Sequence, residues 1–207
     1  YVYNQNKNDY AVNFAQLTKR DGSFLVARKK MPNFSYNDLK GTEILGGRKG
    51  GVPLMTFEYV LKEKGLTIGE NLKAGNVNVR TDVQFGVMAG AFAGGEGDFT
   101  TAFEPTATAM EKEGSGYIVT SIGKDSGEIP FTAYSTTRSY MKNNKDLIQR
   151  FTNAVYKGQL WIQQASSKEV AKAMQPFFED ISLEDLTTVV DRYKSIDAWS
   201  QNPVLQE

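Results

Sequence analysis

Apolar and polar positions alternate loosely over residues 10–18, with Ala11, Asn13, Ala15 and Leu17 set against Val12, Phe14 and Gln16, which predicts a strand. The turn Lys19-Arg20-Asp21-Gly22 follows, then a second strand over 23–27 carrying Phe24, Leu25 and Val26. Residues 1–7 read as the tail of a helix. Pro32 and the polar run 33–38 interrupt the chain, and the pattern resumes with a strand over 42–45. Leu54, Phe57 and Leu61 then recur at helical spacing, with Gly65 placed to end that helix. A short strand over 77–80 precedes a helix with Phe85, Met88, Ala89 and Phe92 on one face, expected to be capped by Thr81 or Asp82 and ended by Gly94-Gly95. Residues 98–101 predict a strand, Phe103-Glu104-Pro105 a turn into a helix closed by Gly114, and 117–121 another strand. A polar turn over 124–127 and a strand over 131–136 complete the alternation.

From there the pattern is helical. Asn143 or Asn144 is expected to cap a helix that turns Leu147, Phe151, Ala154, Trp161 and Ile162 inward. Ser166 and Glu169 form a capping box before Val170, Ala171 and Met174, and Pro176 ends that helix. Ser182 caps a last helix bearing Leu183, Leu186, Val190 and Tyr193. These stripes are expected to be core.

Short strands alternating with helices of roughly ten residues predict a mainly parallel α/β sheet. Such sheets bind ligands in the loops at the carboxyl ends of their strands. One of those loops is unusual: Gly46, Gly47, Gly50 and Gly51 flank Arg48 and Lys49, with Pro53 just beyond. The first N–H groups of a helix lack partners within it and carry the positive end of its dipole, so a glycine-rich entry offers bare donors to an anion or polar ligand. Arg48 adds a forked cation. An ordinary strand-to-helix turn with a solvated Arg-Lys pair fits the same residues. Neither the Walker pattern nor GxGxxG is present.

Composition narrows the chemistry. At 207 residues the chain can bury one substantial core or two small lobes. Lys plus Arg and Asp plus Glu both number 24, which gives no general basic field for nucleic acid. The absence of Cys and His removes thiol nucleophiles, His-based triads and most zinc sites; catalysis stays open through Asp, Glu, Lys, Tyr or Ser, with Glu104 a conceivable acid or base, but no catalytic residue, metal or cofactor is expected. No apolar run is long enough to cross a bilayer. The first residue is Tyr1 rather than Met, which reads as a processed or incomplete product.

The order of these pieces resembles a known family. Leu39-Lys40-Gly41 through the glycine turn to Val52-Pro53 and Tyr59-Val60-Leu61 is similar to extracytoplasmic solute-binding proteins of ABC importers, in the nitrate, sulfonate, taurine and thiamine-precursor family. Gly97-Asp98-Phe99 leading to Phe103-Glu104-Pro105, and residues 140–144 leading to Phe151-Thr152-Asn153-Ala154, extend the resemblance over nearly the whole chain. It implies a type II periplasmic-binding-protein-like fold with two α/β lobes joined by two crossing segments. Residues 1–32 would belong to lobe I and the first crossing, 33–129 to lobe II, and 130–207 to the return crossing and the helical part of lobe I. The first strands and helices of lobe I have no counterpart here.

The resemblance implies a receptor that captures a small solute between the lobes and delivers it to a membrane permease, outside the cytoplasm or on a lipid anchor. Expected ligand contacts are Gly47, Arg48, Gly50 and Gly51 in one loop, Phe103 and Glu104 in another, and Tyr134 and Thr136 at the return crossing. Glu104 at a helix start equally suits balancing the dipole, and Tyr134 and Thr136 equally suit structural strand positions. An enzyme related to thiamine-pyrimidine synthesis and the effector domain of a transcription regulator share the fold. The enzyme depends on His and Cys, and this chain has neither. With part of lobe I absent, the strands over 10–18 and 23–27 are expected to expose edges that favour dimerisation.

Overall fold

The computed structural model describes residues 8–205. The helix expected over residues 1–7 therefore lies outside the described residues.

The strands fall into two sheets. β1 (Ala11–Thr18) pairs antiparallel with β7 (Thr132–Thr137), placing Ala15 opposite Tyr134 and Val12 opposite Thr136. The larger sheet holds five strands in the order β4-β3-β5-β2-β6. These are β2 (Ser23–Ala27), β3 (Glu43–Leu45), β4 (Asn78–Arg80), β5 (Phe99–Phe103) and β6 (Tyr117–Ser121). β3 runs parallel to β4 and β5, while β2 lies antiparallel between β5 and β6.

The position of β2 corrects the expected boundaries. Residues 23–27 are assigned by the sequence to lobe I with a free edge, yet every residue of β2 is buried and both its edges are paired. A continuous apolar run is the signature of a strand covered on both faces. The chain thus leaves the small sheet at residues 19–22, before β2, rather than at 28–33. Phe24 and Val26 face one core and Leu25 and Ala27 the other, as the period of two requires.

On the Leu25 face, α1 (Val52–Glu63) buries Phe57, Val60 and Leu61 against Ile44, Val77 and Phe99. The opposite face carries α2 (Met88–Ala93) and α3 (Thr106–Glu113), through Met88, Phe92, Ala107 and Met110. Ile196 and Ala198 join that second core. α8 (Leu183–Ser195) is bound to α3 by ion pairs from Lys112 to Asp185 at 2.8 Å and from Arg192 to Glu111. α8 and Ile196 thus reach the five-stranded sheet's second core, while Trp199 bridges to Thr18 and residues 200 and 203 bond along β1 of the small sheet, so the segment 130–207, assigned by the sequence to one lobe, touches both.

Local expectations differ in three places. Residues 124–127, expected as a turn, lie largely within the short helix α4 (Ile122–Ser126), because the Ser121 hydroxyl accepts the Lys124 N–H at 3.2 Å. Neither Thr81 nor Asp82 caps α2. Asp82 is held in a two-pronged pair by Arg80, and a 3-10 turn at Phe85–Val87 delays the helix and leaves Phe85 55% exposed. After α5 (Arg138–Asn143), α6 (Lys145–Gln164) leaves Leu147, Phe151 and Trp161 more than 40% exposed, and its one fully buried residue is Gln159. α7 (Ser167–Met174) begins as read, with both bonds of the Ser166–Glu169 capping box formed.

Three strips of chain lie side by side between the sheets. The Lys19 N–H donates to Ala198 O at 2.9 Å, Ile129 N–H to Lys19 O at 2.9 Å, and Ser200 N–H to Leu17 O at 3.0 Å. Lys19 Nζ pairs with Glu128 at 3.0 Å and with Asp197 at 2.6 Å, so one ammonium holds all three.

Candidate functional site

β3 delivers the chain into the glycine loop. Gly46 N–H donates to Arg80 O at 2.9 Å, and a Cβ at Gly46 would sit 2.4 Å from Val79 Cγ1, so only glycine lets β3 pass β4 this closely. Gly47 and Gly50 take φ of 93° and 75°, in the left-handed region. Gly51 is the N-cap of α1, and no side chain caps it. The first helical bond runs from Met55 N–H to Gly51 O. Among the described residues, the N–H groups of Gly47, Arg48, Lys49, Gly50, Val52 and Leu54 have no acceptor within the chain. Arg48, Lys49 and Gly50 are exposed, and Arg48 forms no ion pair among the described residues. The loop is a row of unpaired donors at the positive end of a helix, flanked by two cations.

The loop's aromatic neighbour is Phe85. A Cβ on Gly47 would meet Phe85 Cδ2 at 4.0 Å and Met88 Sδ at 3.6 Å. The Phe85 ring lies edge-on to Phe103 at 5.8 Å, and Phe103 stacks on Phe131 at 6.2 Å. A strip of three rings thus leads from the glycine loop to the strips between the sheets. The sequence singles out Phe103 as a candidate contact. It gives no such role to its ring neighbours, since helical spacing puts Phe85 on a buried face and the pattern puts Phe131 in a strand.

Glu104 is not presented to a ligand. Its side chain is fully buried, Oε1 accepts Arg192 Nη1 at 2.8 Å, and Oε2 accepts the Thr108 N–H at 2.9 Å near the start of α3. The carboxylate balances that helix start and anchors α8. Tyr134 and Thr136 stand in the small sheet, away from the loop's neighbours. Tyr134 packs on Phe14 at 6.4 Å and Phe151 at 4.8 Å, and Thr136 pairs with Val12.

Asp21 lies fully buried at the first crossing. Oδ1 accepts the N–H and hydroxyl of Ser23 at 2.7 and 2.5 Å, while Oδ2 has no partner. Burial pushes its carboxyl above the ordinary value, opposed by the Ser23 bonds. Beyond Phe103, a cavity of about 340 Å³ opens at the junction of the sheets, walled by Phe103, Phe131, Tyr193 and Trp199 with Arg20 and Gly22. A groove of about 450 Å³ lies between α2, α3 and the start of α8, apart from the loop. Among the described residues no group of three acidic side chains is placed to hold a metal ion.

An α/β chain with two sheets joined by adjacent crossings, and an uncapped helix start after a parallel strand, has the type II periplasmic-binding-protein-like fold. The chain belongs to the NMT1-like family, whose model matches residues 8–175. It is 40% identical over all 207 residues to YtlA of Bacillus subtilis strain 168, which is so far only assigned as a binding protein. It is similar in structure to the ligand-binding component of an ABC-type import system from Staphylococcus aureus (16% identity, TM-score 0.65, all of this chain). The periplasmic aliphatic sulphonate binding protein SsuA of Escherichia coli is a second likeness (17% identity, TM-score 0.64, 92% of this chain). The chain spans 60% of the length of YtlA and 65% and 62% of those two solved chains.

Proposed function

We propose that this chain forms the solute-contacting part of an ABC importer's binding protein, which captures a small molecule between its lobes outside the cytoplasm and passes it unchanged to a membrane permease. The observation that carries the reading is the row of unpaired N–H groups at Gly47 to Gly50 and the start of α1, beside the exposed Phe85 ring and Phe103. Donors left open at the end of a parallel strand suit a ligand's acceptor atoms, and the rings suit its apolar body. The fold and the family agree with this reading. So do the relatives themselves, which are described as binding proteins.

Among the described residues no helix is long and apolar enough to cross a membrane. Capture is a population shift: a solute touching both lobes favours the closed arrangement.

A thermal-shift screen against sulfonates, nitrate, pyrimidines and flavins tests the proposal, because a ligand that binds only the folded form raises its melting temperature. At least one class should raise it, and Arg48→Ala should weaken that binding about tenfold, the loss of one charge-assisted contact. A screen with no shift, or chemical conversion of the bound solute, would overturn it.

A further inference from the structure

Charge balances over the whole chain but is not evenly spread along it. Arg138, Lys142, Lys145, Arg150 and Lys157 fall within residues 138–157, where Asp146 is the one acid, while the 24 basic and 24 acidic residues of the chain cancel. All five cations are exposed, and among the described residues none of them forms an ion pair. α5 and the first half of α6 are therefore a positive corner.

The corner has an apolar floor. Where β1, α5 and α6 meet, Arg138, Lys142 and Lys145 rim an open cleft of about 570 Å³ over Phe14, Met141 and Ile148. Neither Asp nor Glu lines it. Asp9, which bonds to the residue after Arg138, has both carboxylate oxygens engaged by the Ser139 N–H and hydroxyl, at 2.7 and 2.6 Å. Arg138 stands over the Tyr10 ring at 5.6 Å. Lys142 and Lys145 also line a second hollow with Arg150 and Asp146, so the positive rim runs on from Arg138 to Arg150. Successive residues of a helix are about 100° apart, which puts Lys145, Gln149 and Thr152 across α6 from its open Leu147 and Phe151 side.

We infer that this corner docks on an anionic lipid bilayer, its cations among the headgroups and the floor of the cleft against the apolar matter beneath them. No polar side chain lining the cleft is fully buried, so the cleft offers mobile charge over an apolar surface rather than fixed donors cut to one solute. A layer of like headgroups suits that chemistry: each cation near it gains from the field of the whole surface, and Lys and Arg stems lie along apolar ground with their heads in water. The inference goes beyond the receptor role and is independent of it. The corner stands on the two-stranded sheet, whereas the glycine loop follows β3 of the five-stranded one, so docking leaves the loop free.

Vesicle flotation tests it. Vesicles of equal parts POPG and POPC should bind the chain roughly tenfold more strongly than POPC alone, and molar salt should remove most of that gain. Lys142→Glu with Lys145→Glu should weaken binding to POPG roughly tenfold, while the same two reversals at Lys62 and Lys73, equal in net charge, should leave it within about threefold. All four lysines are exposed and free of ion pairs, so these variants keep the fold. The chain has no Cys, so a polarity-sensitive dye on Gln149→Cys in the cleft should shift to the blue on POPG vesicles, and one on Glu63→Cys at the end of α1 should not. Equal binding to POPC, equal losses in the two double variants, or an unshifted dye at 149 overturns the inference. So does poly-glutamate binding as tightly as the vesicles, which would mark an acidic polymer as the partner. The solute screen is untouched by any of these outcomes.

Discussion

Two buried carboxylates at the junction have opposite consequences. Asp21 is fully buried with one unpartnered oxygen, and burial raises its carboxyl above the ordinary value. A carboxyl with a raised folded pKa lends stability that is full below its unfolded value and is lost as pH rises through the folded one. Asp21→Asn should therefore melt about 3 °C higher than the parent at pH 8, equivalent to about 1 kcal/mol for a chain of this length, with the gap closing near pH 4 in thermal melts. Glu104 is fully paired. Glu104→Ala should cost about 2 kcal/mol in urea unfolding, since it removes one of the two carboxylates that hold Arg192, leaving Glu111, and uncaps α3, while the variant that folds keeps its solute affinity. The sequence showed Glu104 beside a helix start but not its partner, which lies 88 residues further along the chain.

At the scale of elements, the serine caps of α7 and α8 were legible, while the cap of α2 and the coverage of helix and strand faces were not. Ser166 and Glu169 are three residues apart, and the box they form needs nothing from elsewhere in the chain. Ser166→Ala should lower stability by about 1 kcal/mol in chemical denaturation. The glycine loop was legible for the same reason: four glycines between a strand and a helical stripe define a local shape. β2 and α6 were misread because their surroundings are set by distant segments. A run such as Phe24-Leu25-Val26 does not say which sheet it enters, and an amphipathic stripe does not say whether anything lies over it. On α6 the face bearing Leu147, Phe151 and Trp161 stays open, next to the Phe14–Tyr134–Phe151 ring cluster. For the 207-residue chain alone, that face favours contact with a second copy. Sedimentation should show mass rising with concentration, and Leu147→Glu with Phe151→Glu should return it to the monomer value.

At the scale of the molecule, the contacts that organise the chain are those of Lys19. Burial disfavours its charge, and the hydrogen bonds and charges of Asp197 and Glu128 outweigh that, leaving its pKa above 10.5. The stability this lends is full below the unfolded value and is lost only as pH rises through the folded one, so it is present across the physiological range. Both partners are substantially exposed, which reduces the gain through screening. Lys19→Met should lower the melting temperature by about 2–4 °C at low salt, the equivalent of about 1 kcal/mol, and by less in molar salt, as calorimetric scans at both ionic strengths would show. The arrangement has a mechanical consequence. Like pages stitched along a spine, the strips swing together about their common line far more readily than they slide past one another, since sliding would break the main-chain bonds at Leu17, Lys19 and Ala198 along with the Lys19 clasp. Under the receptor role proposed above, opening and closing would follow such a swing, exposing the Phe103–Phe131 strip and covering it along the same arc.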